Sequence, residues 1–334
     1  MGRSVLLEAP GRYRIAHADP PAPGPGEALV AVAAAGLCGS DRELYAGTRP
    51  EGYRRYPVVP GHEWSGVVLA AGDGVPADLV GRTVVGEGIR GCGRCARCHA
   101  GQPNLCLAGY AETGFTLPGA FAEHLLLPAA LLHVLAEGAD VRAAALLEPA
   151  ACVAVAVARA APAPGERMAV VGGGTLGMLA VQFLAAYTPG ELLVVDPRPA
   201  RHRLAERFGA TAAVTPDSLP GGGFDLVIET AGAAGSALAA TRLARRGGRV
   251  VLTGIPGGTA TGLPPADLVT AALTVHTVFG AESAAWTAAV RAFDTGVISP
   301  GPLVTHELPL EEYPRAVDLL ASGRDDVGKV LLLP

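Results

Sequence analysis

The run Gly172-Gly173-Gly174-Thr175-Leu176-Gly177 constrains this chain more than any other stretch. It follows an apolar run, Met168–Val171, and opens an apolar helical pattern over Thr175–Ala186. In that strand–turn–helix context G-x-G-x-x-G has a physical meaning. Gly172 permits a tight turn. Gly174 lets a pyrophosphate approach the backbone and the helix N-terminus, beside Thr175 and Leu176. Gly177 lets helix pack closely on strand. Asp196 ends the next strand, Leu192–Val195, nineteen residues after Gly177. A carboxylate there accepts hydrogen bonds from ribose hydroxyls and repels a 2′-phosphate, which favours NAD over NADP. Arg198 and Arg201 stand nearby and pull the other way.

The surrounding pattern agrees. Strands Phe224–Glu229 and Arg249–Thr253 alternate with helices Ala200–Phe208 and Ser236–Arg245. The alternation predicts a doubly wound parallel sheet covered on both faces. Between Val214 and Phe224 the sequence is rich in Pro and Gly, so one crossover shrinks to a loop. Beyond it, Ala284–Phe293 and Glu311–Leu320 read as helices and Lys329–Leu333 as a closing strand.

The first 140 residues have a different texture. Short apolar runs at Ala28–Ala34, Ser65–Ala71, Thr83–Gly86 and Phe121–Leu127 are punctuated by Pro and Gly. They predict an antiparallel, partly barrel-like β domain. An Ala-rich helical pattern then runs from Arg142 to Ala160, broken at Pro149. A proline suits a helix's first turn, so Glu148 lies at a helix junction.

Four of the six cysteines crowd into fifteen residues as Cys92-x2-Cys95-x2-Cys98-x7-Cys106. Four thiolates fill a tetrahedral site and leave no open position, the structural kind of zinc. Gly91 and Gly93 let the loop wrap closely. A more dispersed set reads differently. Cys38-Gly39-Ser40-Asp41 follows one strand, Gly61-His62-Glu63 precedes another, and Glu148 sits at the helix junction. A thiolate, an imidazole and a carboxylate suit a zinc that keeps an open, catalytic position. Sequence physics alone does not bring these residues together.

The chain resembles the zinc-dependent medium-chain dehydrogenase/reductase family of alcohol and polyol dehydrogenases. The resemblance runs in order along the whole chain: Pro23-Gly-Pro-Gly-Glu27, Cys38-Gly-Ser-Asp, Gly61-His-Glu, the cysteine lobe, Glu148-Pro149, the Gly-rich turn and Asp196. It implies a GroES-like β-rich catalytic domain over 1–148, with the structural zinc lobe at 91–106. It implies a Rossmann domain over 149–285 and a return to the catalytic domain over 286–334, with the active site in the cleft. Cys38 and His62 are implied as catalytic zinc ligands, with Glu63 or Glu148 as the third. Cys152, one helical turn beyond Glu148, could face the metal but reads rather as a buried thiol. Ser40 is implied to start a proton relay, and Asp41 to support the zinc or cofactor pocket. Lys329 matches, loosely, a basic residue near the pyrophosphate. Hydride would pass between a secondary alcohol, or the matching ketone, and NAD.

Two departures stand out. Glu43 occupies the position where many polyol and threonine dehydrogenases carry His, and Trp64 replaces a small residue. The run Tyr56-Pro-Val-Val-Pro-Gly-His-Glu-Trp-Ser-Gly66 is similar to the dehydrogenases that oxidise deoxy-scyllo-inosamine. Polyols, cyclitols, amino alcohols and simple secondary alcohols are the expected substrate range. Glu43, Trp64, Glu112 and Phe279 are candidates to line the cleft, though each also reads as a surface or packing residue. Family habit implies a homodimer or homotetramer.

Composition narrows the alternatives. Half of the 334 residues are apolar, which excludes disorder and favours two domains. A net charge of −5 argues against a nucleic-acid partner, a zinc ribbon included. No apolar stretch reaches the ~20 residues of a membrane span, and the N-terminus has no signal-peptide core, so a cytoplasmic protein is expected. A zinc-free reductase of the same fold and a nicotinamide-binding protein without turnover are the rival readings. Two zinc ions per chain with alcohol-dependent NADH formation would separate the enzyme from both.

Overall fold

The computed structural model describes residues 1–256 and 261–334. The chain divides into two compact units, Pro149–Ala281 and Met1–Glu148 together with Glu282–Pro334.

The inserted unit carries six parallel strands in the order Ala212–Val214, Glu191–Val195, Arg167–Val171, Phe224–Glu229, Ala244–Leu252, Thr274–Thr277. Its strands are apolar on both faces because helices cover both. Ala169, Val171, Leu193, Val195, Val227 and Val250 form its buried cluster. The chain runs outward from the strand Arg167–Val171 to Ala212–Val214, then returns to Phe224–Glu229 on the opposite side. Strand order reverses at the carboxyl end of Arg167–Val171, where open α/β sheets bind ligands. The Gly-rich turn begins there. Only the 3₁₀ turn Pro216–Ser218 stands in the shortened crossover, as the Pro/Gly composition implies. The helix Pro199–Arg207 starts with proline in its first turn, where the missing N–H costs nothing.

The other unit is mainly antiparallel. Its larger sheet runs Val304–Pro309, Lys329–Leu333, Glu27–Gly36, Glu63–Ala71, Thr83–Gly86, Leu132–Val134, and a hairpin joins Gly2–Ala9 to Arg12–Ala18. The strand Glu27–Gly36 organises the site. One edge pairs with Glu63–Ala71. The other is shared: His124–Pro128 takes its first half, and Leu331 and Leu332 pair with Gly36 and Ala35. The C-terminal strand therefore reaches the end of the strand that leads into Cys38. Val30, Val32, Trp64, Val68, Phe121, Leu125 and Tyr313 meet in one core, with Tyr313 edge-on to Tyr13 and Tyr45. Trp64 is thus a packing residue, 2% exposed.

Several boundaries, and one strand, differ from the sequence reading. The helix Leu147–Ala160 begins two residues before Pro149, which occupies its first turn. The inserted unit ends at Ala281 rather than 285, because the whole helix Ser283–Asp294 belongs with the other unit. Trp286 stacks on His133 with centroids 5.8 Å apart, and Ser283 Oγ donates to Glu87 at 3.0 Å. The strand Thr274–Thr277 carries no sequence signal, being four residues long on the sheet's edge.

Candidate metal and cofactor sites

The cysteine loop folds around its own sulfurs. Cys95 caps the short helix Ala96–His99, its Sγ accepting from the Cys98 N–H at 3.5 Å. The N–H groups of Cys92 and Ala108 donate to Cys106 Sγ at 3.3 and 3.4 Å. All four Sγ atoms lie within 4.8 Å of one another, and none forms a disulfide. A Cβ on Gly91 would stand 2.5 Å from Cys98 Sγ, so only glycine fits. Backbone N–H groups of Leu107 and Cys98 draw the Cys95 thiol down to about 6. Four clustered sulfurs, with backbone donors favouring thiolate, fit a closed tetrahedral zinc. His99, exposed, lies outside the set.

The second cluster is assembled from distant segments. Cys38 follows the strand Glu27–Gly36 and caps the helix Gly39–Ala46. His62 and Glu63 lie where the next strand begins. The Cys38 sulfur, a His62 ring nitrogen and a Glu63 oxygen lie within 4.8 Å of one another. Asp41 is fully buried beneath them; its Oδ2 accepts from the Cys38 N–H at 2.9 Å and stands 3.5 Å from His62 Nδ1. A carboxylate behind a metal-binding imidazole fixes its orientation. Burial opposes charge on His62, but Asp41, with Cys38 and Glu148, outweighs it and raises the imidazole's proton affinity. The donor set, sulfur, nitrogen and oxygen, fits a zinc with an open position.

The buried Lys329 Nζ donates to Glu63 Oε1 and Oε2 at 2.8 and 2.6 Å and to the Leu37 carbonyl at 3.0 Å. The pairing of Lys329–Leu333 with Glu27–Gly36 brings it there. Glu148, in the first turn of its helix, lies outside the three-atom cluster. Burial pushes its carboxyl up to about 7, helped by Glu63 and Glu112 and opposed by His62 and Lys329. Ser40 is half-buried in the first turn of Gly39–Ala46, and no hydrogen bond joins its hydroxyl to another described residue. Cys152 is half-buried and outside the cluster.

One wall beside His62 is marked in sequence at a single residue. Phe115 packs on the His62 ring at 4.6 Å, and the Arg49 guanidinium covers the Phe115 face at 3.7 Å. Arg49 donates to the Tyr53 carbonyl at 2.8 Å and the Tyr110 hydroxyl at 2.9 Å. Its Nη2 stands 3.8 Å from Glu112, whose carboxyl burial pushes up to about 7. Arg49, Tyr110 and Phe115 come from loops without periodic spacing. Of these residues the sequence reading names only Glu112, as a candidate to line the cleft. Glu43 is half-buried on the helix Gly39–Ala46, and Phe279 is 37% exposed.

In the inserted unit, Gly172 has φ +107, in the left-handed region that favours glycine. A Cβ on Gly177 would lie 1.7 Å from the Gly172 carbonyl, so turn and helix touch. Gly174 caps the helix Thr175–Ala185 without a side chain, and nothing lies within 4 Å of its missing Cβ. Uncapped first-turn amides at Thr175 and Leu176 beside open space fit a phosphate. Asp196 ends the neighbouring strand at 2% exposure, with Arg198 folded over it. Arg201, expected within reach of a 2′-phosphate, is only 7% exposed.

Comparison with known proteins agrees with this architecture. Residues 24–137 match the alcohol dehydrogenase GroES-like domain, and 175–295 match the zinc-binding dehydrogenase family. An erythritol/L-threitol dehydrogenase of Mycolicibacterium smegmatis is 30% identical, covering 99% of this chain and 97% of its own. A short chain alcohol dehydrogenase from Escherichia coli CFT073, solved with NADH, superposes with TM-score 0.91 at 28% identity, covering 100% and 99% of the two chains. A protein of Sinorhizobium meliloti 1021, described as a zinc-binding dehydrogenase and bound to NADP, gives TM-score 0.91 at 32% identity with the same coverage. Among the described residues no helix is long and apolar enough to cross a membrane. The chain belongs to the zinc-dependent medium-chain alcohol and polyol dehydrogenase family and is an NAD(P)-dependent alcohol dehydrogenase.

Proposed function

We propose that the chain oxidises a secondary alcohol of the polyol, cyclitol or amino-alcohol class, at a site centred on Cys38 and His62. The observation that carries the reading is the convergence of one sulfur, one ring nitrogen and one carboxylate oxygen, backed by buried Asp41 and Lys329. Bound zinc supplies Lewis acidity that lowers an alcohol's pKa, and the nicotinamide supplies the hydride acceptor. Cys38 and His62 hold the metal. Asp41 keeps the imidazole ring oriented. Lys329 holds Glu63, and either Glu63 or Glu148 would serve as the third ligand. Ser40 Oγ takes the proton from the substrate hydroxyl and passes its own toward solvent. Cys92, Cys95, Cys98 and Cys106 hold a second, structural zinc. A cytoplasmic homodimer or homotetramer completes the proposal.

The test follows absorbance at the NADH band with a panel of polyols, cyclitols, amino alcohols and simple secondary alcohols. One class is expected to give NADH. Cys38→Ala and His62→Ala are expected to lose ~1000-fold or more in turnover, since Lewis-acid stabilisation is worth several kcal/mol. Dinucleotide affinity should survive in both. Full turnover in either variant would refute the catalytic-zinc assignment.

A further inference from the structure

The wall beside His62 holds a carboxyl with no donor. The Glu112 side chain is 10% exposed, and among the described residues no hydrogen bond reaches its carboxylate oxygens. A buried carboxylate without a donor costs stability, and folded proteins keep few such groups. Its neighbours do not relieve it. Arg49 stops 3.8 Å away, beyond hydrogen-bond reach. Its guanidinium is held there, donating to the Tyr53 carbonyl and the Tyr110 hydroxyl and lying over the Phe115 ring. A Cβ on Gly88 would stand 3.3 Å from Glu112 Oε1, so bare backbone borders the carboxyl on that side. The Glu112 backbone is fixed as well. Its carbonyl accepts from the N–H groups of Phe115, Thr116 and Leu117 at 3.3, 3.1 and 3.0 Å, and its N–H donates to Thr116 Oγ1 at 2.8 Å. The acceptor is therefore set in place before any ligand arrives.

Charge points the same way. His62, Asp41 and Arg49 lie within electrostatic reach of Glu112, and Glu148 is coupled to both Glu112 and Glu63. With zinc on Cys38 and His62, the anions are Asp41, Glu63, Glu112, Glu148 and the Cys38 thiolate. They carry one more charge than Arg49, Lys329 and a divalent ion offset. One further cation balances the site. A hydroxyl brings one donor and no charge, whereas an ammonium brings three donors and the charge.

We propose that Glu112 is a specificity residue that receives an ammonium group of the substrate, so that the site selects amino alcohols, aminocyclitols included, over the matching polyols. The Glu112 oxygens accept from the ammonium while Arg49 and Phe115 hold the wall. The inference rests on the alcohol-dehydrogenase reading of Cys38 and His62 as the reacting end.

The test compares 2- and 3-aminocyclohexanol with 1,2- and 1,3-cyclohexanediol, pairs that differ in one group. Calorimetry of zinc-loaded protein with NAD reads affinity without turnover. At pH 8 the Glu112 carboxyl, pushed up to about 7, is ionised. Wild type is expected to bind at least one amine about tenfold or more tighter than its diol, the size of a charge-assisted hydrogen bond. Glu112→Gln is expected to lower that ratio about tenfold or more, and Glu112→Asp, which keeps the charge, to retain part of it. The melting temperature of Glu112→Gln, expected not to fall, separates recognition from unfolding. Equal binding of amine and diol by wild type, binding of neither, or a preference that survives Glu112→Gln overturns the proposal. The expected ratios without NADH from any alcohol would instead overturn the proposed oxidation and leave the ammonium site standing.

Discussion

The four-cysteine loop and the Cys38–His62–Glu63 cluster lie in the same unit and gather their donors within the same 4.8 Å, yet they are built in opposite ways. The loop draws all its donors from fifteen residues and is stabilised by its own backbone N–H groups. The second cluster takes Cys38 and His62 from the ends of different segments, and Lys329 bonds Glu63 across 266 positions of chain. The first needs only local folding around an ion. The second needs the sheet to form first, with buried charges placed behind the donors. A closed local site suits structure, and a buried, charge-supported site suits chemistry on a bound molecule.

Breaking the loop should have the largest effect. Structural zinc contributes folding energy directly, on the order of 10 kcal/mol in small zinc domains. Cys95→Ala should therefore lower Tm by roughly 10 °C or more in calorimetry, while Cys38→Ala changes it by only a few degrees. Equal losses would erase the distinction.

Lys329→Ala comes next. It leaves Glu63 buried without its cation, a change that costs about 3–5 kcal/mol in comparable pairs. The loss should be smaller in zinc-loaded protein than in chelator-treated protein, because the metal replaces the missing charge. The same Tm loss in both forms would contradict a Glu63 that exchanges between Lys329 and metal.

The wall beside His62 offers a smaller, pH-dependent effect. Burial pushes Glu112 up to about 7 from an ordinary 4.5, so the folded state holds its proton more tightly. Between those values the folded form binds more protons than the unfolded one, and stability falls as pH rises through the window. The cost is complete above about 7 and reaches at most ~3 kcal/mol. Glu112→Gln should raise Tm at pH 8 and leave it nearly unchanged at pH 4. A gain of the same size at both would place the cause elsewhere.

The same contrast explains what the sequence reveals. Cysteine spacing, the Gly-rich turn and the shortened crossover are local, so residue order displays them. The strand Thr274–Thr277 is invisible because it is short and half-exposed. The cluster around His62 is visible only through resemblance, since twenty-four positions separate Cys38 from His62 and no periodicity links them. Lys329 was placed by resemblance but found its partner through strand pairing. Asp196 and Arg198 are two residues apart, yet their order does not show that the guanidinium of one bonds both carboxylate oxygens of the other.

The most direct test of the account is zinc per chain, measured by elemental mass spectrometry on wild type, Cys38→Ala and Cys95→Ala. The account predicts two ions in the wild type. Cys38→Ala should keep one and lose turnover, and Cys95→Ala should lose the ion in the loop. A wild type with one zinc, retained in full by Cys38→Ala, would contradict a metal at the dispersed site.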